Sequence, residues 1–180
     1  MSEDSVDSAQ KMIIIGLDNA GKTTILKTLK QELTPKMFAN MKPTTGVNIE
    51  EFTAVDGTKF MVWDFGGQLS FREEYFRRKD YYFSKISKLI YVIDIQDPDR
   101  FDESITYLLN ITGVVKLQKP IPNFIIFVHK YDPELLSSEK YENLFNQLTG
   151  KIKTIFKPLN IPLKFFKTSV YTIFQKFQIL

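Results

Sequence analysis

Apolar residues fall along the chain in two spacings, and the alternation between them predicts the architecture. Short unbroken runs such as Met12-Ile13-Ile14-Ile15 and Leu89-Ile90-Tyr91-Val92-Ile93 read as strands buried on both faces. Between them apolar positions recur at helical spacing, as in Ile25, Leu26 and Leu29 or Val170, Ile173, Phe174 and Phe177. The predicted order is a strand over 11–16, a helix over 22–32 and a long non-periodic connection over 33–46. Two extended runs follow, Val47 to Val55 and Thr58 to Asp64, joined at Asp56-Gly57, a hairpin signal. Then come a charged, aromatic helix over 70–84, a strand over 89–93, a helix over 101–116, a buried strand over 123–128 and a mostly helical stretch over 134–157. Leu163-Lys164-Phe165-Phe166 is a last strand before a short final helix. Strands alternating with helices in this way predict a doubly wound α/β domain. Its sheet is mostly parallel and six-stranded, with one antiparallel edge strand and helices on both faces.

Composition narrows the function classes. A chain of 180 residues with 43% hydrophobic content suits one domain with a full core, here 11–180, behind a polar, acidic tail over 1–10. No apolar run approaches the roughly 20 residues of a membrane span, and the N-terminus lacks a signal pattern, so a cytoplasmic protein is expected. The absence of cysteine excludes disulfides, thiolate metal sites and prenylation, and Ser2 in place of glycine excludes N-myristoylation. No encoded lipid anchor is therefore expected, and membrane contact is expected to be peripheral at most. A net charge of +3 is too small to argue for nucleic acid. Six lysines do follow Glu142, the last acidic residue, and they read as a solvated helix face with strand ends or as a membrane or partner patch.

The chemistry begins at Gly16-Leu17-Asp18-Asn19-Ala20-Gly21-Lys22-Thr23-Thr24, a glycine-bounded loop between a strand and a helix. Glycines let successive backbone N–H groups point inward at an anion, and the helix adds the positive end of its dipole. In this pattern Asp18, Asn19, Ala20, Gly21, Lys22, Thr23 and Thr24 wrap phosphates, Lys22 lies against the β- and γ-phosphates, and the Thr23 hydroxyl faces Mg²⁺.

Two further stations lie where a phosphate sensor needs them. Asp64-Phe65-Gly66-Gly67-Gln68 ends an apolar strand, at the ligand edge of a parallel sheet. There Asp64 can hold the water shell of Mg²⁺, Gly67 can offer its N–H to a γ-phosphate, and Gln68 can orient an attacking water. Upstream, Pro43-Thr44-Thr45-Gly46 closes the long loop, and Thr44 is the hydroxyl expected to reach both metal and γ-phosphate. Base recognition is expected at Phe127-Val128-His129-Lys130-Tyr131-Asp132. Asp132 can accept from two guanine donors, a contact adenine cannot make. Lys130 can lay its stem along base and ribose with its ammonium in solvent. His129, the chain's one histidine, either donates to guanine N7 or ties down the phosphate loop, or is simply structural. Thr168, Ser169 and Val170 would supply backbone N–H groups to guanine O6.

Taken together, the phosphate loop, the run Pro43-Thr44-Thr45-Gly46-Val47-Asn48-Ile49-Glu50 and Trp63-Asp64-Phe65-Gly66-Gly67-Gln68 resemble the small GTPases of the Arf and Arf-like family over 11–180. Other positions are similar to the Rag/Gtr GTPases: His129 in place of the usual asparagine, Thr168-Ser169, the spacing of Tyr75-Phe76 after Gln68, and Leu89-Ile90-Tyr91-Val92. The resemblance implies a P-loop NTPase fold, GTP and GDP as ligands with Mg²⁺, and slow GTP hydrolysis. It implies a switch in membrane trafficking or nutrient-type signalling, served by a guanine nucleotide exchange factor, a GTPase-activating protein and effectors. A homo- or heterodimer is compatible with it.

Departures qualify the transfer. Residues 1–10 carry neither the amphipathic helix nor the myristoylated glycine of Arf proteins, so membrane attachment by that device is not expected, and neither is obligate pairing of the Rag kind. Val47 stands where Arf proteins present a large aromatic to effectors, while Trp63 is kept. The place of a cis-acting arginine, three residues before Thr44, is Met41. The altered His129 motif leaves open a pseudo-GTPase scaffold with negligible turnover. A P-loop ATPase or small-molecule kinase would have no use for Asp132.

Overall fold

The computed structural model describes residues 9–30 and 41–171. Six strands form one sheet: β1 (Gln10–Ile15), β2 (Val47–Thr53), β3 (Lys59–Phe65), β4 (Ile86–Asp94), β5 (Asn123–His129) and β6 (Leu163–Lys167), in the order β2-β3-β1-β4-β5-β6. β2 runs antiparallel to β3 at one edge and all other pairs are parallel, as the hairpin signal and the buried apolar runs predict. The helices are α1 (Lys22–Leu29), α2 (Leu69–Arg77), α3 (Lys79–Tyr82), α4 (Phe101–Val115) and α5 (Glu139–Phe156).

The two-residue period of β1 divides the core. Ile13 and Ile15 pack into a cluster with Leu108 and Ile111 of α4 and Leu148 and Ile152 of α5. Met12 and Ile14 point the other way, toward Ile25 and Leu26 of α1. Because β1, β3, β4, β5 and β6 are parallel, the segments that follow them emerge at one edge, where the predicted chemistry lies.

Several local expectations are corrected. The single helix over 70–84 is two, α2 and α3, divided at Arg78 with φ −113° and ψ 37°. The break lets Tyr82 and Phe83 turn into the core, where Phe83 stacks on Phe65 at 5.8 Å, so aromatic burial overrides helical continuity. β4 begins at Ile86, three residues earlier than predicted, and α5 begins at Glu139 after a 3-10 turn over Pro133–Leu135. The hairpin turn stands at Asp56-Gly57, closed by Ala54 N–H to Thr58 O at 2.9 Å. Of the expected tail over 1–10, Gln10 already belongs to β1 and residues 1–8 lie outside the described residues, as do 33–40 of the connection over 33–46, the end of the first helix at 31–32 and the final helix from 172. Among the described residues no helix is long and apolar enough to cross a membrane.

Ile13 is fully buried at the centre of the sheet, so Ile13→Ala is expected to cost about 2–5 kcal/mol through lost contacts and a residual cavity. Urea unfolding checks this: the midpoint falls while the slope is unchanged.

Candidate functional site

The turn from β1 into α1 is built as a cradle. Gly21 caps α1 at φ +89°, and no side chain caps the first turn, so its backbone N–H groups face the cavity. A Cβ on Gly21 would sit 2.7 Å from the His129 ring, so the helix starts here only as glycine. Lys22 is 5% exposed and donates to Leu17 O at 2.6 Å, folding the loop over its own ammonium. Burial pulls the Lys22 pKa down to about 8, against the attraction of Asp64 and Asp18. Asn19 takes φ +59° in the loop, and Thr24 directs its hydroxyl at the Met41 sulfur at 3.5 Å. The Ala20 side chain is buried in the α1-side core, so this position offers the cavity only its backbone.

Next to the cradle three oxygen-bearing side chains from separate elements converge. The Thr23 hydroxyl donates to Asp64 Oδ2 at 2.5 Å and lies 2.6 Å from the Thr44 hydroxyl, and Thr44 donates to the same Oδ2 at 3.3 Å. Asp64 is fully buried, and its Oδ1 has no hydrogen-bond partner among the described residues. Burial raises its pKa, while the two threonines and Lys22 oppose the rise. Hard oxygen donors around a carboxylate with an unsatisfied oxygen fit Mg²⁺ in chemistry. The cavity beside them has a volume of about 400 Å³ and is lined by Asp18, Lys22, Thr23, Thr44, Gly67 and Gln68 among others.

The turn after β3 closes against the loop. A Cβ on Gly67 would lie 2.1 Å from Asp18 N, so the backbones touch only because residue 67 is glycine. Gln68 is exposed and heads α2, its carbonyl accepting from Phe71 and Arg72 N–H at 3.1 Å. Tyr75, fully buried against Phe65 and Tyr82, donates to Gly46 O at 2.7 Å and approaches Gly66 O at 3.2 Å. Gly46 O also accepts from Gly66 N–H at 2.8 Å. The segment carrying Thr44 and the turn carrying Gly67 are therefore joined at one carbonyl.

The base-side residues assemble at the ends of β5 and β6, with departures from expectation. Asp132 accepts from the Ser169 hydroxyl at 2.6 Å and from Gln96 Nε2 at 3.1 Å, contacts that hold its carboxylate in one orientation. Gln96 also donates to Lys130 O at 2.8 Å. The Lys130 ammonium pairs with Asp94, the β4 residue in register with His129, at 2.7 Å, and so is not free in solvent as expected. The Thr168 N–H is not available to a base, since it extends the sheet ladder to Val128 O at 3.0 Å. His129 is 2% exposed, its Nδ1 lies 3.0 Å from the Thr168 hydroxyl and its ring underlies Gly21, the placement of a residue tying down the phosphate loop. Burial, with the nearby Lys130 charge, lowers its pKa to about 4.

Sequence reasoning missed an ion-pair chain that reaches this cavity. Arg100 Nη2 donates to Asp18 Oδ1 at 2.7 Å and its Nε donates to Glu103 Oε2 at 3.1 Å, while Glu103 Oε1 accepts from Arg72 at 2.6 Å. Its members are as far as 82 positions apart, and acidic residues at a helix start read as ordinary dipole partners, so no local signal marks them.

The ADP-ribosylation factor family pattern matches residues 2–173. Curated relatives include "ADP-ribosylation factor-like protein 3" of Caenorhabditis elegans, 37% identical over 138 residues, which are 77% of this chain and 68% of that protein. The Chlamydomonas reinhardtii protein of the same name is 39% identical over 68% of this chain and 63% of its own length. "ADP-ribosylation factor-like protein 5A" of Rattus norvegicus is 35% identical over 68% of this chain and 62% of its own length. Among solved structures the fold is similar to that of the Arl6 BBS3 small GTPase of Trypanosoma brucei, solved with the nucleotide analogue GppNp. That match has a TM-score of 0.68 and 22% identity and covers 96% of each chain. The mammalian SRP receptor shares the fold at TM-score 0.71 and 16% identity, over 90% of this chain and 92% of that one.

Two outcomes follow from the geometry. Gly67→Ala cannot close on Leu17 and Asp18, so hydrogen exchange over 66–72 is expected to quicken by about tenfold or more, as for a local opening. For His129, the unfolded ring takes a proton near 6.5 and the folded ring only near 4, so stability is full above 6.5 and is lost as pH falls between these values. The total is at most on the order of 3 kcal/mol. Melting temperatures from pH 7 down to about 5, above the carboxylate range, are expected to fall for the parent and stay flat for His129→Asn.

Proposed function

Because the chain belongs to the ADP-ribosylation factor family, and so is a GTP-binding switch of the Arf-like kind, we infer that its cavity binds GTP and GDP with Mg²⁺ and hydrolyses GTP slowly. The observation that carries this reading is the convergence of Thr23, Thr44 and Asp64 beside an uncapped helix N-terminus. Two of the three come from outside the cradle, Asp64 from β3 and Thr44 from the separate segment ahead of β2, the latter as a γ-phosphate sensor requires. Thr23, Thr44 and Asp64 would hold Mg²⁺, which supplies charge neutralisation for the phosphates.

The remaining work falls to the chain's own residues. The first-turn N–H groups and Lys22 hold the phosphate oxygens, an arrangement preorganised by the Lys22–Leu17 contact. Gly67 presents its backbone to the end of the phosphate chain, and Gln68, exposed at the cavity wall, orients water. Asp132, held by Ser169 and Gln96, reads guanine with lone pairs left over, since a carboxylate has about four acceptor sites. Lys42 lines the cavity but lacks the planar fork of arginine, so turnover without a partner is set on the order of 10⁻⁴–10⁻² s⁻¹. A GTPase-activating protein, an exchange factor and effectors complete the cycle, in membrane trafficking or nutrient-type signalling within the cytoplasm.

Competition binding and single-turnover hydrolysis test the reading. The parent is expected to bind GTP and GDP and to exclude ATP, and Gln68→Leu to slow hydrolysis by about tenfold or more at unchanged GTP affinity. Equal binding of ATP, or hydrolysis indifferent to Gln68→Leu, overturns it.

A further inference from the structure

The phosphate cavity carries a carboxylate in its wall. Among the described residues that line it, Asp18 is the one acidic side chain, in a site otherwise furnished with Lys22, Lys42, hydroxyls and backbone. An ionised carboxylate beside bound phosphates opposes binding unless its charge is directed elsewhere and compensated. Its place in the loop sharpens the problem. Asp18 N is the atom that a Cβ on Gly67 would strike at 2.1 Å, so Asp18 stands where the Gly67 turn meets the loop. On the reading above, that is the end that meets the third phosphate.

The structure contains the compensation. Arg100, just ahead of α4, holds Asp18 Oδ1 at 2.7 Å with Nη2, and its other donor edge is fixed by Glu103 Oε2 at 3.1 Å. Glu103 is itself gripped by Arg72 at 2.6 Å, and Arg72 is 8% exposed with its guanidinium 5.1 Å from the Tyr107 ring centre. A planar guanidinium anchored on two sides cannot follow the carboxylate if it swings, so Asp18 is held in one direction. The other cation that acts on Asp18 is Lys22, which the phosphates also need.

We propose that Arg100 is a positioning residue that turns the Asp18 carboxylate away from the phosphates and thereby sets the preference for GTP over GDP. The inference rests on the guanine-nucleotide reading of the cavity. Without Arg100 the carboxylate pairs with Lys22 and competes with the terminal phosphate, so the triphosphate loses more than the diphosphate. Loss of a merely structural clamp would weaken both nucleotides alike.

The experiment is a two-by-two set of R100Q and D18N. Affinities for GppNp and GDP are measured at fixed Mg²⁺ and melting temperature is followed in parallel. R100Q is expected to weaken GppNp about tenfold more than GDP, and D18N/R100Q to recover most of that difference, because the neutral amide no longer competes for Lys22. R100K, which keeps the charge but not the fork, is expected to lie between parent and R100Q, and it serves if R100Q folds poorly. A GppNp loss that D18N does not relieve means that Arg100 attracts phosphate directly, and equal losses for both nucleotides mean a structural clamp; either result overturns the proposal. If the parent binds neither nucleotide, the reading of the cavity falls and the proposal with it. If the parent binds both and R100Q is indistinguishable from it, only the proposal falls.

Discussion

A fully buried carboxylate with one oxygen unsatisfied is the constraint around which the rest of the structure is arranged. Asp64 lies at the end of an interior strand, and Thr23 and Thr44 both turn their hydroxyls onto Oδ2 while Oδ1 has no partner among the described residues. An ion buried in this way costs several kcal/mol unless a counter-charge is supplied. Two neutral hydroxyls only partly offset that cost, and the Lys22 ammonium is occupied by Leu17 O. The site is therefore destabilised as it stands and stabilised by a cation, which makes ligand binding part of the energetics of this corner of the fold.

The sheet delivers these groups by register. Ile14 pairs with Asp64 and with Ile90, so the carboxylate sits level with the next-to-last residue of β1, close to where the chain enters the cradle. Period-two alternation in β1 then places α1 on one face and α4 with α5 on the other, and the strand ends stay at one edge. His129 ends β5 opposite Asp94, underlies Gly21 and bonds Thr168, so the cradle is tied to the ends of β5 and β6.

This arrangement was largely legible in the sequence because its parts are local. Apolar runs and helical spacing marked the strands and helices within a few residues, and the glycine-bounded loop marked its own chemistry. What escaped has a common physical character. Arg100 to Asp18, Arg72 to Glu103, Gln96 to Asp132 and Lys130 to Asp94 are pairings between side chains distant in sequence, and each residue alone reads as an ordinary surface polar group. The break at Arg78 escaped for the opposite reason. Residues 70–84 carry good local helical character, and only the burial of Tyr82 and Phe83 against Phe65 shows why the chain must turn. The use of the Thr168 N–H in the ladder is equally non-local, since it depends on where β6 ends against β5.

The contrast between the two sides of the cavity explains how such a fold can switch. The cradle side is held by a sheet and two core clusters. By comparison, among the described residues the Thr44 segment is held at the cavity by two hydroxyl contacts of Thr44, by the Thr24 hydroxyl on the Met41 sulfur and by the carbonyl of Gly46, shared between Gly66 N–H and the Tyr75 hydroxyl. Each such bond contributes about 1 kcal/mol net, so the whole attachment is worth a few kcal/mol. A ligand that binds the attached form about a hundredfold better contributes about 2.7 kcal/mol, a comparable amount. The contact between Thr44, Gly46 and Gly66 is thus weak enough to be reversed by one ligand, and the sheet that carries the cradle is too well packed to move in its place.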